Sequence, residues 1–202
     1  SGVNILHGEA RFVAPKTVEV NGERLTADRI VIATGSSSAS LPVPGAENAV
    51  SSDGLLSLDA VPDTLAIIGG GVIGMEFASI FASLGSKVTV IEYFKEVLPQ
   101  FDKDIAKRLR QSMASSGVTF VTGAQVTSIE PGKVSYQSGS KEGSVEASVI
   151  AMAVGRRPNL PEGLDLAGVT VERGAIVVDP STMRTSAHGI YAIGDEIGRA
   201  HV

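Results

Sequence analysis

The sequence predicts an α/β fold built on a doubly wound parallel sheet with an antiparallel β excursion, and three observations carry that expectation. A short apolar stretch, residues 65–68, runs into a glycine loop in which Gly69, Gly71 and Gly74 form G-x-G-x-x-G. A helix-length segment follows, and a second apolar stretch, Lys87-Val88-Thr89-Val90-Ile91, ends in an acid, Glu92, 18 residues beyond Gly74. That order and spacing belong to a Rossmann-like βαβ unit that holds a dinucleotide. Each glycine has its own reason: Gly69 permits the tight turn off the strand, Gly71 has no side chain to block a pyrophosphate, and Gly74 lets the helix pack closely on the sheet. The competing reading is a glycine-rich structural turn in a chain with 23 glycines. Strand, loop, helix and terminal acid in the right order favour the dinucleotide.

From the amino end, residues 4–20 alternate in a strand-like way, and Val18-Glu19-Val20-Asn21-Gly22-Glu23 reads as a hairpin whose Asn-Gly supplies positive φ angles. Arg29-Ile30-Val31-Ile32-Ala33-Thr34-Gly35-Ser36 is a buried strand running into a small-residue turn, followed by a Ser/Pro-rich connection over residues 36–45. A boundary falls near Val61. Residues 75–84 carry Phe77, Ile80, Phe81 and Leu84 at helical spacing, with Gly85 placed to cap the helix. A second helix, 102–115, places Ile105, Leu109 and Met113 on one face; Lys103, Lys107, Arg108 and Arg110 read as a solvated face. Gly117 ends it and residues 118–121 form a third strand. Short strand candidates at 126–129, 133–136 and 145–154, with turns at Pro131-Gly132 and Ser138-Gly139, read as the antiparallel excursion before the chain rejoins the parallel sheet. The last segment holds a strand at 175–178 and then Gly189-Ile190-Tyr191-Ala192-Ile193-Gly194-Asp195, which delivers a Gly-Asp pair to the carboxyl end of a strand. Alone, Gly-Asp is a common turn.

Composition narrows the function classes. The 202 residues are 43% hydrophobic and 19% charged, with a formal net charge of -5 and no basic run, so neither nucleic acid nor an anionic membrane is an expected partner. No apolar stretch is long enough to span a bilayer and no cleavable leader is recognisable, so a cytoplasmic location is expected. There is no cysteine, which removes disulfides, thiolate metal ligands and cysteine nucleophiles from this chain. His7, His188 and His201 stand far apart in sequence and read as surface or packing residues rather than metal ligands or members of a triad.

Taken together, Ala33-Thr34-Gly35-Ser36, the loop from Gly69 to Glu76, Glu92, Val97-Leu98-Pro99-Gln100-Phe101-Asp102, Gly155-Arg156-Arg157-Pro158-Asn159 and Tyr191-Ala192-Ile193-Gly194-Asp195 resemble the two-dinucleotide flavoprotein disulfide reductases. Within that family the resemblance is strongest to the dihydrolipoamide dehydrogenases, and it covers nearly the whole chain. It implies an NAD-binding domain over residues 62–184, flanked by pieces of an FAD-binding domain at 1–61 and 185–202. It gives Ile68, Gly69, Gly70, Gly71, Val72, Ile73, Gly74, Met75 and Glu76 to the NAD pyrophosphate, Glu92 to the adenosine ribose, Val126 to the adenine surround and Gly155 to the nicotinamide half. Thr34, Gly35 and Ser36 would stand near FAD, and Asp195 would bond its ribityl chain. Plain alternatives stay open: Val126 as a core valine, Arg156 and Arg157 as loop-shaping or solvated, and Glu76 as an acid that suits the first helical turn.

In the family, hydride passes between NAD and flavin and electrons pass between flavin and an active-site disulfide, with a His-Glu pair managing protons. This chain carries no cysteine, no glycine loop at its amino end and no segment resembling the family's carboxyl-terminal domain, so the resemblance implies a central fragment with no catalytic residue and no metal ligand of its own. Glu196-Ile197-Gly198-Arg199-Ala200-His201 is about three residues shorter than the family's segment, a sign of a truncated or stitched terminus. The implied parent oxidises dihydrolipoamide with reduction of NAD, as a homodimer working with the lipoyl domains of a 2-oxoacid dehydrogenase complex. Two other readings remain: a sister enzyme such as mercuric reductase, a soluble transhydrogenase or glutathione reductase, and a free-standing, non-catalytic NAD(H)-binding module.

Overall fold

The computed structural model describes residues 2–198. Residues 199–202, which include Arg199, Ala200 and His201 of the shortened terminal segment, lie outside the described residues. The described residues group into two compact units, one of residues 38–155 and one of residues 2–37 with 156–198. This grouping by contact is a different division from the domain limits at 61 and 184 that the family resemblance implies, which stay expectations. Val50 bridges in parallel to Ala151 and bonds Ile150 and Met152, which brings the segment before Pro62 into the larger unit.

In the discontinuous unit, strands β1 (Ala10–Ala14), β2 (Thr17–Val20) and β3 (Glu23–Thr26) form an antiparallel meander. Asn21 and Gly22, at φ 52° and 83°, make the β2–β3 turn that the Asn-Gly pair predicts. The expected strand over residues 4–20 is thereby shortened to two pieces. Strand β4 (Ile30–Ile32) leads through a turn to β5 (Ser36–Ser38).

The larger unit follows. After a short helix, α1 (Ser52–Leu56), the chain runs β6 (Thr64–Ile68), α2 (Val72–Ser83), β7 (Lys87–Glu92), α3 (Lys103–Ser115) and β8 (Thr119–Thr122). An antiparallel layer then forms from β9 (Gln125–Glu130), β10 (Lys133–Ser138) and β11 (Lys141–Glu146). Strand β12 (Val149–Met152) returns beside β6, giving the four-stranded parallel order β12-β6-β7-β8. The single strand expected at 145–154 is two, because the chain turns at Ala147-Ser148 between an antiparallel and a parallel partner.

β6 and β7 are central and nearly continuous in apolar residues, as a strand covered on both faces must be. One face packs Leu65, Ile67, Val88 and Val90 under Met75, Ala78 and Phe81 of α2 and Met113 of α3. The other packs Ala66, Ile68 and Ile91 against Val126, Ile129 and Val134 of the antiparallel layer. α3 departs from its expected faces. Ala106 and Met113 are buried while Ile105 is 60% exposed, and Arg110, read as solvated, is half-buried.

The chain then returns to the first unit through β13 (Arg156–Pro158), β14 (Val171–Glu172), β15 (Ala175–Ile176) and β16 (Ile190–Ala192). β16 pairs in parallel with β4, and Phe12, Ile32, Leu164, Val169, Ile176 and Ile190 form this unit's core.

Candidate functional site

The glycine loop is built from the end of β6. At Gly69 the backbone has φ +108°, and a Cβ there would overlap the Ala153 carbonyl; at Gly74 a Cβ would overlap the Gly69 carbonyl. Both glycines are required by packing inside the protein. Gly71 is different: its φ is -73°, and a Cβ would meet nothing within 4 Å. Nothing in the chain's own packing demands a glycine at Gly71. Gly71 is also the N-cap of α2, no side chain caps the helix, and its first turn carries no acid. The leading N–H groups and the positive end of the helix dipole therefore face a space that an anionic ligand can enter. Glu76 stands one turn further in, exposed, so the expectation that it sits in the first turn is corrected: the helix begins at Val72, immediately after the loop.

Glu92 ends β7 and is only 6% exposed. Its Oε2 accepts the Gly70 N–H at 2.5 Å and its Oε1 accepts the Phe94 N–H at 2.8 Å. A carboxylate offers about four acceptor positions, so two are in use and two remain. Gly70 is held from its other side as well, its carbonyl accepting the Leu98 N–H at 2.8 Å. Beyond Glu92 lies an open depression of about 480 Å³, lined by Tyr93, Phe94, Lys95, Gln125 and Gln137. Val126 lies in the core beneath, 6% exposed among Ile68 and Ile91. Past β12, the Ala153 N–H bonds the Ile68 carbonyl at 2.7 Å, which sets the exit of that strand alongside the glycine loop. Gly155, at φ +120°, has open space where a Cβ would stand.

The other expected residues gather in the discontinuous unit. Ser36 Oγ donates to Asp195 Oδ2 at 2.6 Å, and Arg156 Nε donates to Ser36 Oγ at 2.7 Å while its Nη2 donates to the Ser36 carbonyl at 2.7 Å. Arg156 also stands 3.8 Å from Asp195. Arg156 thus shapes this turn, whereas Arg157 is exposed. Thr34 and Asn159 bond reciprocally, Thr34 Oγ1 donating to the Asn159 carbonyl at 2.5 Å and Asn159 Nδ2 to the Thr34 carbonyl at 3.0 Å.

Sequence reasoning missed Glu196. It is fully buried, and its two oxygens accept the Gly35 N–H at 2.9 Å and the Ile193 N–H at 3.2 Å. The available signal was its position directly after the Gly-Asp pair at a strand end. Among the described residues no group of three or more His, Cys, Asp or Glu could hold a metal ion, and no helix is long and apolar enough to cross a membrane.

The chain matches the family model described as pyridine nucleotide-disulphide oxidoreductase over residues 1–201. A dihydrolipoyl dehydrogenase from Acholeplasma laidlawii is 38% identical over all of this chain and 62% of its own length. A mercuric reductase from Bacillus cereus is also 38% identical, over 96% of this chain and 32% of its own length. Among solved structures, the HOCl-induced flavoprotein disulfide reductase RclA from Escherichia coli superposes with a TM-score of 0.86 at 33% identity, covering 98% of this chain and 47% of that one. The chain therefore belongs to the pyridine nucleotide-disulphide oxidoreductase family, and it spans between about a third and two thirds of the length of these relatives.

Proposed function

We propose that this member of the pyridine nucleotide-disulphide oxidoreductase family binds NAD(H) on its 38–155 unit and supplies that unit, with part of an FAD-binding domain, to a longer dihydrolipoamide dehydrogenase. The observation that carries the reading is Gly71, a glycine that no internal packing requires, at the uncapped start of α2. A pyrophosphate seated there would receive the N–H groups of residues 71–74, from Gly71 to Gly74, and the helix dipole. Glu92 would offer its two remaining acceptor positions to the adenosine ribose hydroxyls, with adenine towards Val126 and the Tyr93–Phe94 depression. Gly155 would leave room for the nicotinamide half, near Glu76.

The Ser36, Arg156 and Asp195 cluster fits a role beside FAD, since the Asp195 carboxylate is held in place and is 41% exposed. When bound, the flavin would carry electrons from dihydrolipoamide to NAD, giving lipoamide, NADH and a proton. The 202 residues hold no cysteine, so in this proposal the disulfide would be supplied from outside them. Lipoyl domains, a second identical subunit and a cytoplasmic setting are part of the same proposal, which rests on the 38% identity to a dihydrolipoyl dehydrogenase.

Titration of the purified chain with NADH and NADPH side by side at low salt tests the reading. NADH is expected to bind tighter, because a 2′-phosphate beside Glu92 places two anions within a few ångströms. That costs on the order of 4 kcal/mol at an effective dielectric of ~20, before screening. A preference of roughly tenfold to a thousandfold follows. Equal binding would remove the ribose role of Glu92 and favour a sister enzyme, a reading that the 38% identity to mercuric reductase also supports. Absence of binding to either nucleotide would overturn the proposal.

A further inference from the structure

The segment between Glu92 and α3 touches the glycine loop by its backbone. Gly70 gives its N–H to Glu92 at one end of this segment and its carbonyl accepts the Leu98 N–H at the other, so a single residue of the loop is held between the segment's two ends. Val97, fully buried, stands 2.9 Å from where a Gly70 Cβ would be. Leu98 sits in the left-handed region at φ 49°, a conformation a leucine keeps only where its surroundings hold it. Val97 and Leu98 are buried in the core beneath α2 and α3, whereas Tyr93, Phe94, Lys95, Pro99 and Gln100 around them are exposed.

Between them stands Glu96. Its two oxygens accept Arg110 Nε at 2.6 Å and Nη2 at 3.1 Å, a two-pronged ion pair, and Oε1 also accepts the Val97 N–H at 3.1 Å. Both side chains are about 30% exposed or less, so the pair is partly shielded from solvent. Arg110 lies on α3, which is already anchored to the sheet through Ala106 and Met113. Val97 and Leu98 belong to that same core, and the ion pair adds a charged tie between α3 and Glu96, the polar residue directly before them. The charged neighbours agree: the Arg110 guanidinium holds the Glu96 carboxyl below the usual carboxylate range, and Lys107, one turn earlier on the same helix, acts in the same direction.

We propose that Arg110 and Glu96 form a clasp that positions the glycine loop for the dinucleotide pyrophosphate, acting through Val97, Leu98 and Gly70. The inference rests on the dinucleotide reading above and names two positioning residues, neither of which touches the ligand. Its physical basis is preorganisation: a loop already fixed with its N–H groups aimed outwards loses less freedom on binding than one that must be ordered by the ligand.

The test uses Arg110→Met, Glu96→Gln, the double variant and Arg110→Lys, with calorimetric titration of NADH and of ADP-ribose. It adds amide hydrogen exchange at Leu98 and Gly70 in the ligand-free chain. Each single variant is expected to bind both ligands about threefold to tenfold more weakly. The double variant should be no worse than either single one, because the two side chains act as a unit. Arg110→Lys should recover part of the loss, keeping the charge without the fork. Exchange at Leu98 and Gly70 should quicken while that of the β6 amides stays slow. Glu96→Gln, which preserves volume, carries the test if Arg110→Met fails to fold. Parental affinity in Glu96→Gln, or unchanged exchange at Leu98, would overturn the clasp alone. A parent chain that binds neither NADH nor ADP-ribose would overturn the dinucleotide reading and the clasp with it.

Discussion

The glycine loop at Gly69–Gly74 and the turn at Thr34–Ser36 are alike in their construction and differ in what they leave open. Each follows a parallel strand, and each is pinned by a buried glutamate whose two oxygens accept backbone N–H groups: Glu92 takes those of Gly70 and Phe94, Glu196 those of Gly35 and Ile193. Such charge-assisted bonds satisfy backbone donors that burial would otherwise strand. The glycine loop, however, continues into a helix of 12 residues whose start has no cap, whereas the turn continues into a three-residue strand with its Gly35 donor already taken. A pinned turn is a structural device; a pinned turn that also presents a row of unclaimed donors is equipped for an anion. The difference lies in the element that follows.

The two turns should differ most at their glycines. Gly69→Ala is expected to destabilise the protein by about 3 kcal/mol or more, since it combines a positive φ with overlap on the Ala153 carbonyl, whereas Gly35→Ala, at φ +65° with open space, should cost only about 1 kcal/mol. Urea unfolding curves of the two variants measure the gap, and equal losses would mean that the two turns are equally tight. Gly71→Val comes next. It should leave the unfolding midpoint nearly unchanged and weaken NADH binding by about a hundredfold or more, because the added side chain fills ligand space and nothing else.

Glu196→Leu tests the opposite region. It leaves the Gly35 and Ile193 N–H groups without their acceptor and should cost about 2 kcal/mol of stability, with NADH affinity unaltered. A loss of NADH affinity in this variant, at a temperature where it is folded, would show that the two turns do not have separate roles. The smallest effect concerns pH. Glu96 is held below its ordinary range by Arg110, so its contribution is fully present above the unfolded carboxylate value of about 4.3 and fades as pH falls through the lower folded value. Stability measured between pH 5 and about 3 should fall less steeply in Arg110→Met than in the parent.

Much of this was legible in the sequence because it depends on local pattern. The β6–α2–β7 core followed from apolar runs and glycine spacing, and the Asn21-Gly22 hairpin and the antiparallel excursion followed from turn residues. What escaped depended on contacts distant along the chain. Glu196 reads as one more polar residue in a turn, and only the fold brings its carboxylate to Gly35, 161 residues away. Arg110 reads as part of a charged helix face until Glu96 is placed beside it, and Ile105 reads as core by spacing although the sheet reaches only Ala106 and Met113. The expected strand at 145–154 hid a change of partner, which periodicity does not record.

The open donors belong to the glycine loop and not to the turn at Gly35. Backbone amide shifts of the isotope-labelled chain, followed by NMR as NADH is added, test it most directly. Large saturable shifts are expected at residues 69–76 and at Glu92 and Phe94, with Thr34, Gly35, Ser36, Ile193 and Glu196 unmoved. Shifts concentrated at Gly35 and Glu196, with the amides of Gly71 and Val72 silent, would contradict it.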